Sequence, residues 1–104
     1  AAGRLRDPAV AVAQAERMLR DDRVRALAIE FGTQWVHVRG FDDHKEKNEA
    51  LFPTFDAKLR ADIYEESIRV FDDFFRAGRP VLSLLDADHT FLNEPLAKHY
   101  GIPG

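Results

Sequence analysis

Four histidines, eighteen acidic side chains and no cysteine set the chemistry open to this 104-residue chain. Without Cys there is no disulfide, no thiolate metal site, no covalent haem attachment and no cysteine nucleophile within these residues. The densest run of reactive types is Asp86-Ala87-Asp88-His89-Thr90. Its alternating acids look like the opening of a calcium loop, which needs glycine at its sixth position and a bidentate Glu at its twelfth. Counting from Asp86, those positions hold Phe91 and Ala97, so the motif fails where its geometry is strictest. Turn-forming and helix-capping roles account for Asp86, Asp88 and Thr90 more simply. A zinc site asks for three or four convergent ligands. His37, His44, His89 and His99 include no i,i+4 pair on one helix and no HExxH. Should an ion be held at all, Asp86, Asp88, His89 and His99 are the candidates. The expectation is no metal, no cofactor and no catalytic residue in this chain.

The remaining polar groups fare similarly. Asp62/Glu66 and Asp72/Asp73 are neighbours on one helix face, whereas glycoside hydrolysis needs two carboxyls facing each other across a substrate. Ser67 and Ser83 sit in no GxSxG elbow. No glycine-rich phosphate loop is present.

The elements that must carry these residues are helical. Asp7-Pro8 reads as a cap followed by proline in the first turn. Ala11, Ala15, Met18 and Leu19 then recur at helical spacing up to Arg20. Asp21-Asp22 breaks the pattern, and Asp22 is placed to cap the next helix. Val24, Leu27, Ala28, Phe31, Trp35 and Val38 form the next amphipathic stripe, closed by Gly40. On this stripe Trp35 is expected in the core, and Gly32 is expected to allow a close helix approach. Residues 41–53 read as a long polar loop pinned by Leu51 and Phe52. A long helix follows, capped by Thr54 or Asp56 and ended by Gly78, with Leu59, Ile63, Val70, Phe71, Phe74 and Phe75 on its apolar side and Tyr64 and Ile68 widening it. Pro80 opens a short helix, and Thr90 or Asn93 starts a last one that stops at Gly101. The spacing thus predicts an all-α fold, a compact bundle of about five helices over 8–20, 23–39, 55–77, 80–86 and 92–100 around one core.

Length fits a single domain, residues 1–104. Net charge is −3, which argues against a general nucleic-acid binder. Six Arg fall within the first 25 residues, but Asp7, Glu16, Asp21 and Asp22 interrupt them. No apolar run approaches the roughly 20 residues of a membrane span, and no targeting segment is visible. The ends, Ala1-Ala2-Gly3 and Ile102-Pro103-Gly104, look like cuts in a longer chain.

Three segments carry a resemblance: Phe31-Gly32-Thr33-Gln34-Trp35; Leu51-Phe52-Pro53-Thr54-Phe55-Asp56 with Leu59-Arg60; and Leu84 to Glu94 running into His99-Tyr100-Gly101-Ile102-Pro103. In order and spacing they resemble a planctomycete-type domain of unknown function. That family occurs within large exported bacterial proteins that often also carry cytochrome-c-like haem segments. The resemblance implies an exported, multidomain parent, with haem c elsewhere in it and neighbouring domains as partners. It carries over no catalytic residue, and His89 stands where relatives usually have Tyr.

The function expected is therefore a non-catalytic helical scaffold or docking module, contacting its neighbours through Leu92, Leu96, Tyr100 and Ile102. One alternative is part of an enzyme or redox protein whose site is completed by neighbouring domains, with Asp86, Asp88, His89 and His99 involved. Another is a carbohydrate- or ligand-binding module using exposed Trp35 and Tyr64.

Overall fold

One long helix organises the backbone. In this computed structural model, which describes residues 3–43 and 50–103, that helix is Ala57–Ala77. Four more helices precede and follow it, and no strand occurs among the described residues, so the all-α expectation holds. In chain order, a 3-10 turn at Arg4–Arg6 leads into α1, Pro8–Leu19. Residues 24–35 form α2, one rod made of α-helical Val24–Leu27, π-helical Ala28–Gly32 and α-helical Thr33–Trp35. A 3-10 turn at Phe41–Asp43 follows, then α3, Ala57–Ala77. Short α4, Ser83–Asp86, and α5, Glu94–Tyr100, complete the chain.

The helix starts are set by side-chain caps. Asp7 accepts from the Ala9 amide at 2.9 Å, Asp56 from Leu59 at 2.8 Å and Asn93 from Leu96 at 3.0 Å. Each cap contributes about 1 kcal/mol by satisfying an amide the helix leaves open. The start of α2 differs from expectation. Its turn is organised by Asp21, which accepts from the Arg23 amide at 2.9 Å, while Asp22 points into solvent and reaches Arg76 at 3.6 Å.

The ends follow one pattern. The amides of Gly78 and Arg79 return to the carbonyls of Phe75 and Phe74; those of Gly101 and Ile102 return to Lys98 and Ala97. This paired closure puts the first residue of each pair in the left-handed region. In α2 the same closure occurs three residues before the expected Gly40: His37 bonds Gln34, and Val38 bonds Thr33 at 2.8 Å. His37 therefore takes φ 57°, and Gly40 serves the following turn at φ 75°.

The core lies where α2 crosses α3. Ala28, Ile68 and Phe71 form its centre, with Ile29, Tyr64, Phe75 and Leu84 packed around them. The buried positions of α2 are Val24, Ala28, Gly32 and Thr33, a seam of mostly small residues. A Cβ on Gly32 would stand 2.4 Å from Cδ2 of Phe71, so only glycine permits this approach. Arg25 ties the crossing with a 2.6 Å ion pair to Glu65. Further along, α3 buries Leu59 and Arg60 against the Phe41–Asp43 turn and α5, with Leu96 2% exposed beneath α5.

Two elements stand outside this core. Leu51 and Phe52 are exposed rather than pinning the loop between α2 and α3. The most polar part of that loop, residues 44–49 with His44, lies outside the described residues. Helix α1 buries no residue at all, and its extensive contacts are with the turn Arg4–Arg6. The molecule measures 59 × 28 × 21 Å with a radius of gyration of 17.6 Å. A near-spherical chain of this length would give about 13 Å, so the helices share one core but α1 extends beyond it as an arm.

Candidate functional site

The polar residues with chemical potential are separated and partnered. His89 lies between two carboxylates, with Nε2 3.6 Å from Asp73 and Nδ1 3.6 Å from Asp88, and it meets the Phe91 ring edge-on. Because the two acids approach opposite ring nitrogens, they cannot share one ion with the imidazole. Asp73 is already bound to Arg79 at 2.7 Å, and that hydrogen bond holds its carboxyl below the usual range. Asp86 ends α4 in an exposed position. His99 belongs elsewhere, stacked at an angle near Phe55 and Tyr100 on a cleft of about 390 Å³ that also involves Asp56, Lys58 and Lys98. Among the described residues, no three His, Asp or Glu side chains converge on a common point.

The carboxylates of α3 hold the fold. Asp62 takes Lys58 at 2.9 Å, and this bond lowers its pKa. Burial alone would raise Glu65, but Arg25 and Arg69 outweigh it and the net direction is down. Glu66 makes a clasp that the sequence spacing does not show. It accepts from Thr90 at 2.5 Å and from the Tyr100 hydroxyl at 2.8 Å, gripping the extended segment before α5 and the last residue of α5 together. Burial, then the Glu66 carboxylate, push the Tyr100 phenol up to about 12. The hydroxyls of Ser67 and Ser83 bond back to the carbonyls of Ile63 and Pro80.

A different feature faces outward. Trp35, expected in the core, is 49% exposed, and Phe31 is 47% exposed. Their rings lie nearly parallel, 14° apart with centroids at 6.3 Å. Below them Phe71 and Phe75 meet Phe31 edge-on at 6.3 and 6.1 Å, and Phe71 meets Trp35 edge-on at 6.1 Å. Leu27, one turn before Phe31, is also exposed. The reason lies in the seam: the glycine at position 32 pulls the small residues of α2 onto α3. The bulky residues at 27, 31 and 35 are left on the flank, braced from below and wet above. Their spacing of four forms a ridge suited to packing against another helix.

The residues expected to meet neighbouring domains divide. Leu96 is taken into the core and Leu92 is half-buried, leaving Tyr100 and Ile102 at the surface. No helix of the described residues is long and apolar enough to cross a membrane.

With this geometry in view, comparison with known proteins gives one result. A family model described as PSD4, protein of unknown function (DUF1592), matches residues 1–102. No curated protein matches, and neither does any solved structure.

Proposed function

The chain belongs to the PSD4 (DUF1592) family of proteins of unknown function, and from that premise we propose that it is a non-catalytic helical docking module within a multidomain exported protein. The observation that carries this reading is the braced aromatic ridge of Leu27, Phe31 and Trp35. Large apolar patches on a soluble domain mark contact surfaces. Tryptophan held rigidly from below is the residue type that most often dominates such contacts. The exported, multidomain setting, with haem segments and neighbouring domains as partners, rests on the resemblance in the segments around Trp35, Pro53 and Asp88.

The test uses the isolated domain and the flanking segments of its parent protein, produced separately and mixed. The domain binds a neighbouring segment, and Trp35→Ala weakens that binding by more than about tenfold, a loss typical of a central aromatic anchor. Circular dichroism of the variant stays helical, since Ala28, Ile68 and Phe71 remain in place. Binding that Trp35→Ala leaves unchanged, or the absence of any binding by the unaltered domain, overturns the proposal.

A further inference from the structure

The turn in the middle of α2 decides which of its side chains face the core. On an unbroken α-helix each residue advances about 100°. Measured from Val24, Ala28 then stands at about 40°, Phe31 at about −20° and Trp35 at about 20°, all on one face, with Thr33 opposite at about 180°. The structure differs. Thr33 is 1% exposed, while Phe31 and Trp35 stand half-exposed on the flank. The π-helical turn Ala28–Gly32 accounts for this. A π turn closes one residue later than an α turn, so everything beyond it is set back by one position, about 100°. Thr33 then falls at about 80°, beside Ala28, and Trp35 at about −80°, on the flank. Side chains brace the widened turn. The Thr33 hydroxyl donates to the Ile29 carbonyl, and the Gln34 side-chain amide donates to the Glu30 carbonyl at 2.9 Å.

A second register is written into the same residues. As an unbroken α-helix, the segment has Val24, Ala28, Phe31, Trp35 and Val38 on its apolar face and Gly40 at its left-handed closing position. In the observed register that position falls on His37, at φ 57°, where a side chain is disfavoured. What the observed register gains is the seam, with Gly32 closer to Phe71 than any Cβ allows. Each register thus has a feature that the other lacks. Val24–Leu27 and Thr33–Trp35 are already α-helical, so exchange needs only the π turn to tighten and the short segment after it to rotate. Single π turns inside α-helices recur at functional sites.

We infer that α2 is a two-register device: its π form presents Phe31 and Trp35, and its unbroken α form draws them onto α3. The inference concerns the helix and stands apart from the docking function. If the ridge docks, the device decides when it is available.

The chain holds one tryptophan, so 5-fluorotryptophan places a single fluorine probe at Trp35. Fluorine relaxation dispersion of the 104-residue chain shows microsecond-to-millisecond exchange with a minor state of about 1–10%. Gly32→Ala forbids the close approach to Phe71; it raises the minor population at least about threefold and moves Trp35 emission to shorter wavelength. His37→Gly favours the observed closure and lowers that population. Deletion of Glu30 removes the extra residue and leaves only the presenting register. Exchange then disappears, while circular dichroism stays helical and Trp35 emission keeps its position. Flat dispersion in the unaltered chain overturns the inference. So does exchange that His37→Gly and the Glu30 deletion leave undiminished, because that is motion of the indole and not of the helix. If Gly32→Ala fails to fold, the unaltered chain and His37→Gly decide.

Discussion

Single residues decide the shape of this surface, and the smallest matter most. Gly32 is the point at which α2 can touch Phe71, and the aromatic ridge is outside because glycine is inside. Gly32→Ala improves intrinsic helix propensity by about 1 kcal/mol, yet the added methyl collides with a buried ring. The expected net result is a loss of about 1–3 kcal/mol in urea unfolding. His37 makes the opposite case. It occupies the left-handed closing position of α2 that Gly78 and Gly101 occupy in α3 and α5. His37→Gly relieves that strain and stabilises the fold by about 0.5–1 kcal/mol, read as a higher denaturation midpoint. The sequence around α2 was half legible at this scale. The stripe announced an amphipathic helix and included the buried Val24 and Ala28, but its large members Leu27, Phe31 and Trp35 stand exposed beside the seam, because size suggests burial while close helix crossing selects small side chains. His37 gave no signal, since Gly40 nearby looked like a better terminator.

Among the elements, helices declared themselves through caps and glycines. Asp7-Pro8, Asp56, Asn93, Gly78 and Gly101 act locally, within a few residues, so reading them needs no knowledge of the fold. What joins the elements was not readable in that way. The Glu66 clasp spans 24 residues to Thr90 and 34 to Tyr100, and no periodicity encodes it. Its consequence is measurable. Tyr100 has a folded-state value of about 12 against the ordinary 10. A group whose folded value is raised favours folding below its unfolded value, and that contribution disappears as pH climbs from the unfolded value through the folded one. Stability is therefore expected to fall between about pH 10 and 12 as far as this tyrosine is concerned. In a Tyr64→Phe background, where Tyr100 is the remaining tyrosine, ultraviolet absorbance titration places its ionisation near 12. Glu66→Gln shifts that ionisation downward but not fully, because burial is the larger cause. An unchanged titration in Glu66→Gln contradicts the clasp.

At the scale of the whole molecule, the helices gather on α3 while α1 reaches away, and large exposed apolar side chains recur along this side at Met18, Leu27, Phe31 and Trp35. That layout suits a part that others rest against. Helix count and class were available from the sequence; the arm was not, because an amphipathic pattern says that a face is to be covered and not by what. The candidate metal and catalytic residues were legible as types only: His89 and His99 sit apart, one between Asp73 and Asp88, the other beside Phe55. The most direct measurement is hydroxyl-radical footprinting of Met18, Phe31 and Trp35, in the isolated domain and in the multidomain parent protein that the proposed function assigns to it. All three side chains oxidise readily in the isolated domain, and all three are expected to be strongly shielded in the parent. Equal reactivity in the two contexts would show that nothing docks there and contradict the account.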